Sequence, residues 1–193
     1  MEHYFTEDTI TKSNIKKINI KIKNREYQFL TDNGVFSKKG LDFGTRTLLL
    51  NLPPLTGKVL DFGCGYGPIG IFIAKNNQVE MSMLDINKRS IELTKKNCEL
   101  NQVKALVFLS NMYDDVLDTY DYIITNPPIR IGKKSLYRIL FDAKKYLNKN
   151  GQLWLVINKN QGAKSLINDL KTDYLVDVIN KNKGFYIIRA RNC

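Results

Sequence analysis

Residues 58–67 have the sequence Lys58-Val-Leu-Asp-Phe-Gly-Cys-Gly-Tyr-Gly67. An apolar run reaches an acid, Asp61, and then breaks into glycines at positions 63, 65 and 67. These glycines can adopt positive φ angles, and they let a ligand approach the backbone closely. Pro68 follows at a position where proline suits the first turn of a helix. The segment therefore predicts a strand, a glycine loop and a helix.

Asp85 supports a ligand site at this loop. It closes the next apolar run, residues 79–84, about twenty residues after the glycines. Doubly wound sheets place an acid at this point, where it accepts hydrogen bonds from a ribose diol. The two strand ends together therefore predict a site for a nucleoside-containing ligand.

Two such ligands compete for the loop. Gly65-Tyr-Gly-Pro-Ile-Gly70 formally matches the dinucleotide fingerprint of nicotinamide oxidoreductases. However, Pro68 lies inside the turn whose amides would face a pyrophosphate, and proline has no amide hydrogen. The pattern Asp61-x-Gly63-x-Gly65-x-Gly67 better suits S-adenosylmethionine (SAM), which has no phosphate to bind. A tight turn without any ligand is the structural alternative, and three alternating glycines after an acid argue against it.

A second motif, Asn126-Pro127-Pro128, ends the apolar run at residues 122–124. The residue before a proline is pushed into extended geometry, and neither proline can donate a hydrogen bond. The motif predicts a rigid strand tip that presents carbonyl oxygens. Such a tip can accept both N–H groups of a planar amine or amide, on the Asn126 side chain and the Pro127 backbone. By itself the motif better fits a strand that is simply stopped by proline. Both motifs follow strands, however, and open α/β sheets bind ligands at the carboxyl ends of strands, which reverses that preference.

With these motifs, the chain resembles class I SAM-dependent methyltransferases. More narrowly, it is similar to the ribosomal small-subunit RNA guanine-N2 methyltransferases (RsmC-like) in a short, single-domain form. The resemblance covers residues 34 to 163 and rests on these pieces: Gly34-Val-Phe-Ser37, Gly40-Leu-Asp-Phe-Gly-Thr45, Leu60 to Gly67, Asp85, Ser110-Asn111, Asn126 to Pro128 and Ile157-Asn-Lys-Asn-Gln-Gly-Ala163. The glycine loop indicates the superfamily, and Asn-Pro-Pro indicates amino or amide methylation. The Val-Phe-Ser and Gln-Gly-Ala pieces indicate the guanine branch.

The resemblance implies a set of site residues. The expected SAM contacts are Asp61, Gly63, Cys64, Gly65, Gly67, Asp85, Ile86, Asn111, Met112 and Asn126. The expected catalytic residues are Asn126, Pro127 and Pro128. The expected substrate contacts are Phe36, Ile129, Arg130 and Lys133, with Asp42 and Thr45 as further candidates. A helix cap is the structural alternative for Asn111, and small size is the expected reason for Cys64. No metal ligand is expected.

The acceptor stays open among several alternatives. Related enzymes that methylate adenine N6 or protein glutamine N5 carry an aromatic residue after Asn-Pro-Pro, and this chain has Ile129 there. That difference favours guanine N2 of ribosomal RNA, although it leaves the residue that stacks on the base unidentified. A non-catalytic RNA-binding module on the same fold is the alternative outside enzymes. Longer members of the resembled family carry an extra N-terminal domain, which this chain is expected to lack.

Charge and cysteine content indicate the partner and the compartment. The formal net charge is +11, and residues 128–193 contribute fourteen Lys and Arg against four Asp and Glu. Such a basic region attracts phosphate backbones, so RNA, free or in the small ribosomal subunit, is the expected partner. No apolar run is long enough to span a bilayer, and the N-terminal residues Met1-Glu-His-Tyr-Phe5 are not expected to belong to a signal peptide. Three cysteines without a C-x-x-C pair predict a reduced, cytoplasmic protein without disulfides or zinc.

The pattern of apolar residues predicts an α/β fold in one domain. It comprises an N-terminal extension (1–57) with a β-hairpin and a catalytic core (58–193). The core is expected to hold a doubly wound, Rossmann-like methyltransferase sheet of seven strands with an antiparallel C-terminal strand, and the last two strands are both expected to oppose the rest. Three helices are expected to begin at caps, namely at Thr45, at Asn87 and at Ser135, and Asn150-Gly151 is expected to end the third. A strand at 103–109 and a helix at 161–170 are also expected.

Overall fold

The computed structural model describes residues 12–35, 37, 40–128 and 131–193. Its centre is a seven-stranded sheet with the spatial order β5-β4-β3-β6-β7-β9-β8. The strands are β3 Gly57–Phe62, β4 Val79–Asp85, β5 Leu106–Leu109, β6 Tyr120–Thr125, β7 Leu147–Asn158, β8 Leu175–Asn182 and β9 Phe185–Arg191. This arrangement confirms the predicted doubly wound sheet.

Helices cover both faces of the sheet. They are α1 Phe43–Asn51, α2 Pro68–Asn76, α3 Lys88–Leu100, α4 Lys133–Asp142 and α5 Ala163–Leu170. Helices α1, α2 and α3 share one apolar cluster, and α4 and α5 share the other. Strand β7 shows the alternation that this requires, since Trp154 and Val156 join the first cluster while Leu153 and Leu155 join the second. No helix among the described residues is both long and apolar enough to cross a membrane.

The N-terminal hairpin is held to α3 by side chains. Strands β1 (Lys16–Ile22) and β2 (Arg25–Thr31) form a separate antiparallel sheet, as predicted. Asn97 on α3 accepts a hydrogen bond from the Leu30 N–H (2.6 Å) and donates to the Leu30 carbonyl (2.9 Å). Asn101 makes the equivalent pair of bonds with Gln28. Two buried asparagines therefore pair with the edge of β2 in the way that a neighbouring strand would.

Two predicted helix caps were wrong. Helix α1 begins at Phe43 because the Asp42 side chain accepts the Thr45 N–H at 3.0 Å, so Asp42 is the N-cap. Helix α4 begins at Lys133 after Gly132, and Ser135 lies inside its first turn. In contrast, Asn87 caps α3 as predicted, by accepting the N–H groups of Arg89 and Ser90.

Three other boundaries also differ from the prediction. Strand β5 starts only at Leu106, because the Val103 N–H is still bonded to the Cys98 carbonyl of the helix end. Helix α5 starts at Ala163, because Gly162 at φ 82° separates it from a 3-10 turn at Lys159–Gln161. Helix α4 ends at Asp142 and is followed by a 3-10 turn at Ala143–Tyr146.

The segment at residues 147–151 belongs to β7 instead of to the predicted helix. Leu147 is buried, but it pairs with Tyr120 of β6. The register of β7 on β6 shifts after this pair, and Asn150 has a φ of 64° there. A Cβ on Gly151 would lie 2.9 Å from the Asn148 carbonyl oxygen, so only glycine fits the bulge. Asn150-Gly151 is therefore a bulge signal and not a helix end.

The C-terminal hairpin confirms the antiparallel last strand and corrects the orientation of its partner. Strand β9 lies between β7 and β8 and runs antiparallel to both. Strand β8 is consequently parallel to β7, whereas the last two strands were both expected to oppose the rest. The two-residue turn, Lys183-Gly184, has positive φ at both positions, as a type I′ hairpin turn requires.

Candidate functional site

The two predicted motifs meet at the carboxyl ends of neighbouring strands. Strands β3 and β6 are paired in parallel, and the Thr125 hydroxyl donates a 2.9 Å hydrogen bond to the Phe62 carbonyl across their ends. Thr125 directly precedes Asn126, and Phe62 directly precedes the glycine loop. Both motifs line one cavity of about 820 Å³, a size within the range of small-molecule sites.

The glycine loop is attached to the end of β4. The N–H groups of Gly63 and Cys64 both donate to the Leu84 carbonyl at 2.9 Å. The Gly65 N–H donates to Asp85 Oδ2 at 2.8 Å. Gly63 and Gly65 have φ angles of 73° and 58°, and an added Cβ at either position would meet no atom within 4 Å. The backbone conformation, and not crowding, therefore requires glycine there.

Asp85 is positioned to accept further hydrogen bonds. Its Oδ1 accepts the Asn87 N–H at 2.9 Å, and its Oδ2 accepts from Gly65, so the carboxylate cannot rotate freely. An ionised carboxylate has about four lone-pair sites, so it can still accept from hydroxyl groups of a ligand. Burial raises the pKa of Asp85 to about 6, while the N–H groups of Asn87, Gly65 and Ile86 act to lower it. Ile86 lines the cavity beside Asp85.

Two residues of the loop segment, Asp61 and Gly67, lie outside the lining of the cavity. Asp61 is fully buried and does not line the cavity: its Oδ2 accepts the Gly70 N–H of α2 at 2.9 Å. Burial raises the pKa of Asp61 to about 7, and the charge of Asp85 adds to this shift. Gly67 is the N-cap of α2 and also lies outside the lining. Neither residue therefore lines the cavity, and their ligand contacts stay predictions.

Cys64 lines the cavity, but its thiol is buried. The Sγ atom lies 3.6 Å from the Thr94 hydroxyl. Burial raises the pKa of this thiol well above its usual range, which keeps it protonated. The geometry thus agrees with a small packing residue and gives no support to a reactive thiol.

The carboxamide of Asn126 has a defined orientation. Its Nδ2 lies 2.9 Å from Thr45 Oγ1 and 3.4 Å from Asp42 Oδ1. Because a carboxylate can only accept, the NH2 group of Asn126 must face these residues. The carbonyl oxygen of Asn126 has no donor among the described residues and is left for a ligand in the cavity. Pro127 and Pro128 also line the cavity.

The end of β5 completes the cofactor side of the cavity. Asn111 and Met112 both line it, and their contact with the cofactor stays a prediction. The helix-cap alternative for Asn111 is wrong, because a turn and not a helix follows in this described stretch. Ser110 shapes that turn: its hydroxyl donates to the Met112 carbonyl (3.0 Å) and accepts the Asp115 N–H (3.2 Å).

The predicted substrate contacts are only partly placed. Phe36, Ile129 and Arg130 lie outside the described residues. Lys133 is exposed and lines a smaller adjacent pocket of about 180 Å³ instead of the main cavity. Its Nζ lies 4.8 Å from the Tyr137 ring centroid. Lys133 therefore does not line the main cavity, and its contact with the target stays a prediction.

The cavity lining includes aromatic residues that were not predicted as site residues. Phe43 and Phe185 both line it, with ring centroids 5.6 Å apart. Phe43 follows the Asp42 cap directly, so the resembled Gly40–Thr45 piece could have indicated it. Phe185 enters from the last hairpin, and no local pattern in the sequence links it to the site. Among the described residues, no group of three or more His, Cys, Asp and Glu side chains is placed to hold a metal.

Comparisons with known proteins agree with this geometry. The family model for the methyltransferase small domain matches residues 26–189. An uncharacterised Bacillus subtilis protein, YbxB, is 40% identical over 98% of both chains. The ribosomal RNA small subunit methyltransferase C of Vibrio vulnificus is 43% identical over 73% of this chain, but the match covers only 42% of that relative.

The fold is also shared with solved structures. A T. thermophilus 16S rRNA guanine-N2 methyltransferase, solved with AdoMet and guanosine, superposes with a TM-score of 0.83. The sequence identity is 23%, over 93% of this chain and 51% of that one. The chain thus spans almost all of the B. subtilis relative, but about half or less of these two rRNA methyltransferases.

Proposed function

The chain belongs to the methyltransferase small domain family of SAM-dependent enzymes, and we propose that it methylates the exocyclic N2 amino group of a guanine in ribosomal RNA. The observation that carries the proposal is the hydrogen-bonded pair of strand ends. One end presents the glycine loop beside Asp85, and the other presents the Asn126 carbonyl, in the same cavity.

The cofactor side follows from the loop and the strand ends beside it. SAM supplies a methyl group that its sulfonium has already activated. Asp85 would accept the two ribose hydroxyls, since its carboxylate is fixed by Gly65 and Asn87. The Gly63 and Gly65 backbone leaves open space for the methionine part, and Asn111 and Met112 would flank the adenine.

The acceptor side follows from Asn126 and Pro127. Asn126 Oδ1 and the Pro127 backbone oxygen would accept the two N–H groups of the amine, which orients the nitrogen lone pair toward the methyl carbon. The new N–C bond forms as the C–S bond breaks, and the amine then releases a proton to water. Holding the nucleophile in line is a large source of rate acceleration. The two oxygens also stabilise the positive charge that develops on the nitrogen.

Several features support RNA guanine over the alternatives. The V. vulnificus relative is a ribosomal RNA small subunit methyltransferase, and a structural neighbour was solved with guanosine. The aromatic pair Phe43 and Phe185 offers a surface on which a base can stack. The Lys and Arg residues of the basic segment 128–193 would supply contacts to RNA phosphates. An rRNA or small-subunit substrate would also place the protein in the cytoplasm.

The decisive experiment is mass-spectrometric nucleoside mapping of cellular RNA with and without this protein. We expect one N2-methylguanosine to disappear when the protein is absent. Tritium-labelled SAM with cell extract is the companion assay, in which label in protein instead of RNA would favour glutamine N5. Loss of an N6-methyladenosine would favour adenine, and failure to bind SAM in calorimetry would favour a non-catalytic module.

A further inference from the structure

Among the described residues, the carboxylate of Asp42 uses only one of its two oxygens. Asp42 lies at the start of α1, lines the cavity and is half-buried. Its Oδ1 accepts the Thr45 N–H at 3.0 Å and lies 3.4 Å from Asn126 Nδ2. Its Oδ2 has no hydrogen-bond partner among the described residues, and no Lys or Arg there forms an ion pair with it. A free acceptor therefore lies beside the methyl-accepting tip.

The chemistry of a carboxylate restricts what Asp42 can face. An ionised carboxylate only accepts hydrogen bonds, so a complementary ligand must present a donor. In the proposed reaction Asn126 and Pro127 take both N–H groups of the exocyclic amine. One of the two atoms that flank the amine-bearing carbon would then lie on the Asn126 side of the tip, where Asp42 is held.

The three candidate acceptors differ at this adjacent atom. In guanine the amine-bearing carbon is flanked by N1, which carries a hydrogen, and by N3, which carries a lone pair; with N3 on the Pro127 side, N1 is the atom that faces Asp42. In adenine it is a ring nitrogen with a lone pair, and in a glutamine amide it is the carbonyl oxygen. If a carboxylate oxygen faces either of these lone pairs, two hydrogen-bond acceptors meet with no donor between them. This is unfavourable in a partly buried site. Asp42 therefore favours binding of guanine over adenine or a glutamine amide.

We propose that Asp42 is a specificity-determining residue whose Oδ2 accepts the N1–H of the target guanine. This rests on the proposed guanine-N2 function and adds the group that discriminates guanine from adenine and from glutamine. The role as N-cap of α1 and the role toward the base use different oxygens, so one residue performs both. The cap fixes the carboxylate, and a fixed acceptor discriminates better than a mobile one.

Nucleoside binding to the full chain isolates this contact. Calorimetric titrations would use guanosine, inosine and 2,6-diaminopurine riboside, with S-adenosylhomocysteine present to occupy the cofactor side. Guanosine has both N1–H and the amine, inosine has only N1–H, and diaminopurine riboside keeps the amine but has a lone pair at N1. We expect diaminopurine riboside to bind wild type on the order of 10- to 100-fold more weakly than guanosine.

The variant Asp42→Asn tests the assignment without removing the helix cap. Asparagine is as good an N-cap as aspartate, so its Oδ1 can keep the Thr45 N–H while Nδ2 faces the cavity. The guanosine-to-diaminopurine ratio should then fall to about 1 or invert, because an amide can donate to the N1 lone pair. Asp118→Asn, at the opposite end of the strands, is the charge-matched control and should keep the wild-type ratio.

Three outcomes would overturn the assignment: no guanosine binding by wild type, equal binding of guanosine and diaminopurine riboside, or an unchanged ratio in Asp42→Asn. A purely structural role would lower the melting temperature and all affinities together, leaving the ratio intact. The proposed function has its own readout. If mapping finds N2-methylguanosine while the ratio test fails, the function stands and only the role of Asp42 is lost.

Discussion

At the scale of single residues, the site depends on which way one carboxamide points. Asn126 is useful only if its oxygen faces the cavity, and two acceptors from α1 decide this by taking its NH2 group. Asn-Pro-Pro could be recognised from the sequence because its chemistry lies in three adjacent residues. The part that Asp42 and Thr45 play in orienting Asn126 could be suspected only by resemblance, since these residues lie 84 and 81 positions away along the chain.

Replacing Asn126 with alanine should separate catalysis from cofactor binding. Asn126→Ala removes one of the two oxygens that hold the amine, and we expect a loss of about 100- to 1000-fold in kcat. SAM affinity should stay within about twofold of wild type, because the glycine loop and Asp85 are untouched. Single-turnover methyl transfer and calorimetry measure the two quantities. Asn180→Ala on edge strand β8 is the control, and full turnover by Asn126→Ala would refute the mechanism.

SAM affinity should depend on pH through Asp85. Its folded-state pKa is raised to about 6 by burial, so the carboxyl becomes increasingly protonated below that pH. The ribose hydroxyls need the ionised form, so affinity should fall by up to about tenfold per pH unit below 6 and level off above it. Calorimetry from pH 5 to 8 measures this.

Two variants separate Asp85 from its buried neighbour. Asp85→Asn should bind SAM weakly with a flat pH profile. Asp61→Asn should keep the midpoint near pH 6, because Asp61 lies under the loop and bonds to Gly70 instead of lining the cavity. A wild-type profile that is flat between pH 5 and 8 would contradict the assignment of Asp85.

At the scale of secondary-structure elements, the sequence predicted the sheet better than the helix ends. Strands β3, β4 and β6 could be recognised because each is a short apolar run that ends at a chemically distinctive residue. The predicted start of a helix was wrong where two nearby residues could each serve as the N-cap, as Asp42 and Thr45 could for α1. The start of β7 was not predicted, because Leu147 continues the helical spacing of α4 in the sequence. In the structure, its pairing with Tyr120 places it in the sheet. That pairing is a long-range contact, which local periodicity cannot detect.

The attachment of the hairpin to α3 gives a prediction for stability. Asn97→Ala removes bonds to both backbone groups of Leu30 and to the Tyr66 carbonyl. Leaving these buried groups unpaired should lower the free energy of unfolding by roughly 2–3 kcal/mol. For a chain of this size the melting temperature should fall by about 5–10 °C.

The control for this variant lies on the same helix. Lys96→Ala removes an adjacent exposed side chain and should shift the melting temperature by no more than about 2 °C. Hydrogen exchange should show reduced protection of the Leu30 amide in Asn97→Ala alone. Equal melting temperatures for the two variants would mean that the asparagine pair does not hold the hairpin.

At the scale of the whole molecule, the charge asymmetry has a position in the fold. The basic residues of the C-terminal third include Lys159, Lys181 and Lys183, which are exposed around the β8–β9 turn. Lys183 Nζ lies 5.3 Å from the ring centroid of Phe43, which lines the cavity. The side chain of Lys159 runs past Gly184, next to Phe185. Charge counting alone predicted a basic region, and only the fold brings it to the mouth of the site.

These lysines should make the affinity for RNA strongly dependent on salt. Each phosphate contact with single-stranded RNA contributes about 0.7 to the slope of log K against log salt. The double variant Lys159→Ala/Lys183→Ala should therefore reduce the slope by about 1.4 and weaken binding at low salt, without changing SAM affinity. Fluorescence anisotropy with a labelled single-stranded RNA, from 50 to about 300 mM salt, measures the slope.

The control removes the same charge from another part of the surface. Lys95→Ala/Lys104→Ala changes two exposed lysines on α3 and before β5, away from the cavity mouth. If RNA contacts are concentrated where the cavity opens, this pair should keep nearly the wild-type slope. Equal reductions in the two double variants would instead mean that the protein attracts RNA through its net charge, with no preferred face. In that case the target base would have to be delivered to Asn126 by the shape of the RNA alone.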